Sequence, residues 1–211
     1  MRAIFVTGTD TSVGKTVVSD LLRRYLKDKG YRVVKQKWIE TGRHNVLQHT
    51  DFHLANPYIF KFASSPHLAA RLEKKKIRAA KIKKSFRALY KKFDFVIVEG
   101  IGGALVPISQ KALVIDIAKE LNLPVLIVVG NKLGAINHTL LTVEAIRKRN
   151  MKIAGMIFNN RFKGGNKLIL EDNVKIIEKL SNVKALGVLP CAENRRQLYK
   201  AFIPIGKKII K

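Results

Sequence analysis

Residues 4–17, IFVTGTDTSVGKTV, constrain the fold more than any other stretch of the chain. An apolar run leads into a glycine-rich turn, and residues typical of the first turns of a helix follow. Gly8 and Gly14 let backbone N–H groups crowd around an anion. Lys15 supplies a cation for the β- and γ-phosphates of a nucleotide, and the Thr16 hydroxyl suits a Mg²⁺ ion. The stretch therefore predicts a strand, a phosphate-binding loop and a helix.

The spacing of these glycines departs from the general phosphate-loop pattern. Four residues separate the glycines in that pattern, whereas residues 9–13 make five between Gly8 and Gly14. A chance Gly-Lys-Thr within an ordinary turn is the alternative interpretation. The apolar run before the turn and the helical pattern after it favour the phosphate loop.

Apolar runs of strand length alternate with stretches of helical periodicity along the rest of the chain. This alternation predicts an α/β fold of the P-loop NTPase type, with a parallel sheet and helices on both faces. With 211 residues and 47% hydrophobic content, a single domain over residues 1–211 is expected. Residues 192–211 form a basic tail to which we assign no element.

The predicted elements can be given as ranges. Strands are predicted at residues 3–6, 31–34, 93–98, 124–129, 151–158 and 183–189. Helices are predicted at residues 17–29, 68–92 (one helix or a pair, starting near 65–66), 111–121, 133–150 and 168–180. Residues 37–42 are predicted to be a loop, and residues 44–57 to be irregular.

A second chemical signal follows the buried strand at residues 93–98. Glu99 stands at its carboxyl end, and the glycine-rich run Gly100-Ile101-Gly102-Gly103 comes next. Because ligands bind at the carboxyl ends of strands in open α/β sheets, we expect this carboxylate to lie in the site. An acid that merely points into water is the alternative.

The charge of the chain is strongly positive, since 41 Lys and Arg against 15 Asp and Glu give a formal +26. Such a balance suggests a nucleic-acid or membrane surface, or simply a solvated basic surface around a site for anionic small molecules. Charge runs such as those in residues 68–92 are usually solvated helix faces, so nucleic acid is not the expected partner.

The cysteine content and the apolar runs bear on location. Cys191 is the single cysteine, which excludes an internal disulfide and a cysteine metal cluster. The sequence opens directly on a core strand, and no apolar run approaches the length of a spanning helix. We therefore expect a cytoplasmic protein that does not interact with membranes.

Together the motifs resemble those of the dethiobiotin synthetase family, and the five-residue spacing of the phosphate loop is typical of that family. The resemblance covers most of the chain. Its blocks are VTGTDT and VGKT within residues 6–16, NPY at 56–58, SPH at 65–67, VEG and GG within 98–103, and VVG, KLG and INH within 128–138.

The resemblance implies an ATP- and Mg²⁺-dependent enzyme that joins CO₂ to 7,8-diaminononanoate and closes the ureido ring of dethiobiotin. One amine captures CO₂ as a carbamate, the carbamate attacks the γ-phosphate, and the second amine displaces phosphate. It also implies a homodimer with the active site at the subunit interface.

Site residues follow from the same resemblance by matching position. Lys15 would act on the phosphates and Lys37 beside the carbamate, with Thr11 and Thr41 as hydroxyl donors to the substrate. Asn137 would contact the diamine bound to the other subunit, and a simple helix cap is its alternative role.

The implied metal ligands are Thr16, Asp51 and Glu99, whose hard oxygen atoms suit Mg²⁺. Asn159 would read adenine, although an asparagine after a strand is also a common turn residue. Which nucleotide is preferred stays open. The implied nucleotide-binding residues are Ser12, Val13, Gly14, Lys15, Thr16, Val17, Asp51, Glu99, Gly100, Ile101, Gly102, Asn159, Asn160, Pro190, Cys191 and Ala192.

The chain departs from the family pattern at several positions. Ser12 stands where the family has glutamate, Trp38 replaces a proline, and Thr41 replaces a serine. The segment that follows Asp51 is also shorter. A partition-type P-loop ATPase acting on nucleic acid or membrane is the alternative function, but such proteins carry an extra lysine where this chain has Asp10.

Overall fold

The computed structural model describes residues 1–42, 50–161, 165–192 and 194–210, with the backbone alone at residues 50–52. Strands and helices alternate along it. The strands are β1 (Ala3–Gly8), β2 (Val33–Lys37), β3 (Ile39–Thr41), β4 (Tyr58–Phe60), β5 (Phe95–Gly103), β6 (Pro107–Ser109), β7 (Ala112–Leu113), β8 (Val125–Gly130), β9 (Ile153–Asn159) and β10 (Ala185–Leu189). The helices are α1 (Lys15–Asp28), α2 (Thr50–Ala55), α3 (Pro66–Leu72), α4 (Ala79–Lys92), α5 (Val114–Glu120), α6 (Ala135–Arg147), α7 (Lys167–Ser181) and α8 (Arg195–Ile209).

Six of the strands form one sheet in the order β10-β9-β8-β1-β5-β2, and every neighbouring pair in it is parallel. Strand β1 lies inside the sheet, and all six of its residues are buried. Its side chains alternate between the two faces, so that Phe5 joins one apolar core and Ile4 and Val6 join the other. The predicted parallel sheet with helices on both faces is confirmed.

The carboxyl-terminal segment corrects the sequence interpretation. Residues 192–211 are not merely a basic tail, because α8 occupies most of them and packs against α1 and β10. Asn194 caps α8 by accepting the backbone N–H groups of Arg196 and Gln197. The buried residues of α8 are Tyr199, Phe202, Ile205, Gly206 and Ile209. Pro204 inside the helix obscured this pattern in the sequence, since proline usually ends a helix.

Two further segments differ from the sequence interpretation. The predicted loop at residues 37–42 contains β3, which pairs in parallel with β4. The predicted irregular stretch at 44–57 contains α2, and its residues 44–49 lie outside the described part of the chain.

The basic stretch at 68–92, predicted as one helix or a pair, is a pair. Helix α3 ends at Leu72 and α4 begins at Ala79, and Lys74 between them has a φ of 51°.

The side chain of Trp38 is fully accommodated in the core. Trp38 is 1% exposed, and its ring stacks on Phe5 with centroids 5.5 Å apart. Its Nε1 donates to Gln36 Oε1 at 3.0 Å, and Gln36 Nε2 in turn donates to Ser85 Oγ at 3.0 Å. Since side chains alternate along a strand, this places Gln36 on the α4 face of the sheet and Lys37 on the α1 face.

None of the helices in the described residues combines the length and the apolar character needed to cross a membrane.

Candidate active site

The carboxyl ends of β1, β5 and β2 bring the two sequence signals together. In the sheet register Glu99 is paired with Val6 on one side and with Lys37 on the other. The phosphate loop, which follows β1, therefore lies beside Glu99, and the sequence predicted that the two belong to one site. A cleft of about 300 Å³ opens here. It is lined by Thr11, Ser12, Gly14, Lys15, Thr16, Val17, Lys37, Glu99, Gly100, Ile101, Gly102 and Arg161.

The loop has a geometry suited to an anion. Gly14 has a φ of 103°, which its lack of a Cβ permits, and it leads directly into α1. No side chain caps the start of α1, so its first backbone N–H groups are available to a bound phosphate. Lys15 Nζ donates to Asp10 O at 2.9 Å, which folds the lysine back over its own loop.

The ammonium of Lys15 is largely buried, and this changes its acidity. Burial lowers the pKa of Lys15 from 10.5 to about 8, and the negative charges of Glu99 and Asp10 oppose that shift in part. A bound triphosphate would add negative charge beside the ammonium and favour its protonated form. The protonation of Lys15 is therefore expected to be linked to nucleotide binding.

Glu99 lies at the centre of the cleft floor with 3% of its surface exposed. Its Oε1 accepts the Thr16 hydroxyl at 2.6 Å. Its Oε2 is buried without a hydrogen-bond partner, and the nearest described cation is Lys35 Nζ at 3.4 Å. The alternative of an acid that points into water is wrong, because the side chain is enclosed.

These contacts fit a divalent cation. Glu99 Oε2 is buried without a hydrogen-bond partner, and the Thr16 hydroxyl donates to the other oxygen of the same carboxylate. Such carboxylate and hydroxyl oxygens are the hard ligands that Mg²⁺ prefers. The structure thus brings Thr16 and Glu99 together, and that they bind a metal ion stays a prediction. For Asp51, the third predicted ligand, the backbone lies in α2, and its side chain lies outside the described part of the chain.

Lys37 reaches the cleft from the end of β2. Its Nζ lies 3.8 Å from Glu99 Oε1 and 3.4 Å from Glu40 Oε1. Thr11 lines the cleft opposite, on the phosphate loop. Thr41, the other predicted hydroxyl donor, ends β3 as a half-buried residue and is not among those that line the cleft.

Asn159 contacts the backbone of the phosphate loop and is not among the residues that line the cleft. Its side chain is 3% exposed, and Nδ2 donates to Val13 O at 2.8 Å. A Cβ on Gly14 would stand 2.1 Å from this Nδ2, so the close approach requires glycine. Asn160 is held by Asn131, whose Nδ2 donates to Asn160 Oδ1 at 2.8 Å. That Asn159 reads a base stays a prediction.

Arg161 was not identified from the sequence, although it follows the two predicted base-side asparagines. Its Nη1 donates to Ser12 O at 2.7 Å, and its side chain lines the cleft. The backbone carbonyl of Arg161 accepts the thiol of Cys191 at 3.7 Å. The segment Pro190, Cys191 and Ala192 after β10 is thereby joined to the loop through Arg161.

Asn137 lies away from the cleft of its own chain. It is exposed on the first turn of α6, which begins after Gly134 rather than at residue 133 as predicted. The neighbouring Leu133 and Leu141 are 81% and 56% exposed. An exposed polar residue among exposed apolar ones suits a contact with another molecule.

Comparison with known proteins identifies relatives over nearly the whole chain. A family model described as an AAA domain matches residues 2–196. The ATP-dependent dethiobiotin synthetase of Methanococcus vannielii is 39% identical, over 88% of this chain and 92% of that protein. The enzymes of the same name from Methanocaldococcus jannaschii and Brachyspira hyodysenteriae are 38% and 37% identical, and each match covers at least 89% of both chains.

Solved structures show likeness at the level of the fold. A chain of the MinC:MinD cell division protein complex of Aquifex aeolicus superimposes with a TM-score of 0.65 at 15% identity, over 100% of this chain and 96% of that one. A plasmid partition protein of Borrelia burgdorferi bound to AMPPNP gives 0.62 at 16% identity, over 99% and 98%. At such identities the likeness concerns the fold alone.

Proposed function

The chain belongs to the ATP-dependent dethiobiotin synthetase family, whose members are ATP-consuming ligases of biotin biosynthesis, and from that premise we propose the reaction and the residue roles. The chain closes the ureido ring of dethiobiotin from 7,8-diaminononanoate, CO₂ and ATP, and it releases ADP and phosphate. The observation that carries this proposal is the meeting of Lys15, Lys37 and Glu99 in one cleft beside the phosphate loop.

The cationic groups stand where negative charge would develop. The loop N–H groups and Lys15 bind the β- and γ-phosphates, and Lys37 lines the same cleft. Lys37 orients the carbamate oxygen that attacks the γ-phosphate, and its ammonium stabilises the charge as the mixed anhydride forms. Thr11 and Thr41 donate to the substrate, and the second amine then displaces phosphate to close the ring.

Thr16 and Glu99, with Asp51, would hold the Mg²⁺ ion. When bound, the ion would supply positive charge that offsets the negative charge developing on the phosphate groups. The buried Oε2 of Glu99 is the strongest support for this assignment, because a carboxylate oxygen is costly to bury without a partner.

The base and the second subunit complete the proposed site. Asn159, Asn160 and the segment Pro190 to Ala192 surround the adenine, and the Arg161 side chain closes that side of the loop. The protein acts as a homodimer in which Asn137 of one subunit contacts the diamine bound by the other. A cytoplasmic location stays a prediction.

Product formation tests the proposal directly. Purified protein with diaminononanoate, bicarbonate, Mg²⁺ and ATP is expected to form dethiobiotin, measured by mass spectrometry, with one ADP for each product. Omission of the diamine is the control for uncoupled ATP hydrolysis. Absence of product would refute the proposed function, and a salt-sensitive shift of duplex DNA with ATP would favour the partition-type alternative instead.

The lowered pKa of Lys15 predicts how nucleotide affinity depends on pH. Below about pH 8 the ammonium is charged in the free protein and attracts phosphate, whereas above it the amine is neutral and must take up a proton on binding. ADP affinity is therefore expected to fall with rising pH from about pH 8, by up to roughly tenfold per pH unit.

Calorimetry in buffers of different ionisation enthalpy measures this linkage. Proton uptake on ADP binding should appear near pH 9 and should be much smaller near pH 7. Lys15→Arg is the matched control, since a guanidinium stays charged throughout this range. An equal proton uptake by the arginine variant would assign the linkage to another group.

A further inference from the structure

Lys35 lies next to the proposed metal ligand but has no part in the proposed chemistry. Its Nζ is 2.6 Å from Asp20 Oδ1 on α1 and 3.4 Å from Glu99 Oε2 on β5. The Lys35 side chain is 23% exposed and that of Asp20 is 51% exposed, whereas that of Glu99 is only 2% exposed. A single ammonium thus bridges a solvated carboxylate and a buried one.

Regular secondary structure explains this arrangement. Lys35 and Lys37 are two residues apart on β2, so both project from the α1 face of the sheet. Thr16 and Asp20 are four residues apart on α1, so both lie on the helix face that covers those lysines. Thr16 contacts Glu99 in one layer, and Asp20 contacts Lys35 in the next.

The two carboxylates that contact Lys35, those of Glu99 and Asp20, differ in how far each depends on the lysine for a counter-charge. Glu99 Oε2 accepts no hydrogen bond, and the Lys35 ammonium, at 3.4 Å, is the nearest described cation to it. A divalent cation bound at the same oxygen would satisfy it and would repel the ammonium. Asp20, already in contact at 2.6 Å, can retain the displaced lysine.

We propose that Lys35 is a positioning residue that shares its charge between Glu99 and Asp20 and thereby sets the Mg²⁺ concentration that nucleotide binding requires. Without metal, Lys35 neutralises Glu99. With metal, Lys35 pairs with Asp20 alone. The inference rests on the metal site of the proposed function, but it concerns binding rather than product formation.

The test measures ADP affinity as a function of Mg²⁺ concentration. Lys35→Met removes the competing ammonium, so the Mg²⁺ concentration for half-maximal binding should fall about fivefold. Asp20→Asn leaves Lys35 with Glu99 alone, so that concentration should rise about threefold. Lys27→Met is the control for net charge, because Lys27 is exposed in the last turn of α1.

Two further measurements separate this role from a general structural one. If Asp20 acts through Lys35, the double variant Lys35→Met with Asp20→Asn should match Lys35→Met alone. Without Mg²⁺, Lys35→Met should also lower the melting temperature, because Glu99 loses a counter-charge, and saturating Mg²⁺ with ADP should largely remove that loss.

The outcomes are decisive whether or not dethiobiotin forms. The inference is overturned if the Mg²⁺ concentration for half-maximal ADP binding is unchanged in both single variants, or if Lys27→Met shifts it equally. It is also overturned if ADP affinity of the native protein does not depend on Mg²⁺ concentration. Opposite shifts in Lys35→Met and Asp20→Asn support it even if the diamine is not a substrate, in which case the proposed function alone fails.

Discussion

Replacement of Lys37 by alanine is expected to lower kcat for dethiobiotin formation by about 10³-fold, while ATP affinity changes by no more than about threefold. The phosphate loop and Lys15 provide most of the binding to the triphosphate, and the variant leaves them intact. Lys37 reaches the cleft from β2, and its role in the proposed mechanism is to stabilise charge that exists only while the carbamate is phosphorylated.

Single-turnover product formation and calorimetric ATP binding measure these two effects separately. Lys29→Ala is the matched control, because Lys29 is exposed after α1 and its loss changes the net charge equally. Lys37→Arg should recover part of the rate if charge alone matters. A parallel loss of ATP affinity and rate in Lys37→Ala would instead make Lys37 a general phosphate-binding residue.

The charged groups of the cleft agree with separate roles for Lys15 in phosphate binding and for Lys37 in the proposed reaction. Lys15, Lys35 and Lys37 all lie within interaction range of Glu99, the buried carboxylate of the cleft. Asp20 pairs with Lys35 and Glu40 pairs with Lys37, so these carboxylates largely balance the positive charge, while Lys15 and the loop N–H groups are placed to bind an anion. The +26 charge of the whole chain therefore does not by itself indicate nucleic acid, since part of it serves the proposed nucleotide site.

Local patterns explain why much of the site could be predicted from the sequence. The phosphate loop is contiguous, so Gly14, Lys15 and Thr16 are recognisable without knowledge of the fold. Glu99 ends an apolar run, and parallel sheets bring the carboxyl ends of their strands to one edge. The family resemblance then placed Thr16 and Glu99 together as metal ligands, and the structure has a hydrogen bond between the two side chains.

Features that depend on contacts between distant segments could not be predicted in this way. The pairing of Lys35 with Glu99 requires the register between β2 and β5, and the contact of Arg161 with Ser12 joins residues 149 positions apart. The short strands β3 and β4 are three residues long and pair in parallel, so no tight turn between them marks the pairing in the sequence. The stacking of Trp38 on Phe5 likewise joins residues from two separate segments of the chain.

The predicted role of Asn137 in the partner's site leads to the last expected result, a rescue of activity by mixing two inactive variants. Asn137 is exposed on α6 and is absent from the lining of its own cleft. Asn137→Ala alone should therefore lose most product formation and keep ATP binding, as Lys37→Ala does. Each variant carries the residue that the other lacks.

When equal amounts of the two variants exchange subunits, half of the dimers are expected to be mixed. In each mixed dimer one site combines both substitutions, and the other has an intact Lys37 and, from its partner, an intact Asn137. About a quarter of the native activity should therefore return. If Asn137 instead acts within its own subunit, the mixture stays as inactive as its components, and native mass spectrometry, which resolves the mixed dimer by its mass, distinguishes that outcome from a failure to exchange. A role as helix cap is excluded, because Gly134 occupies the N-cap of α6 and no side chain caps it.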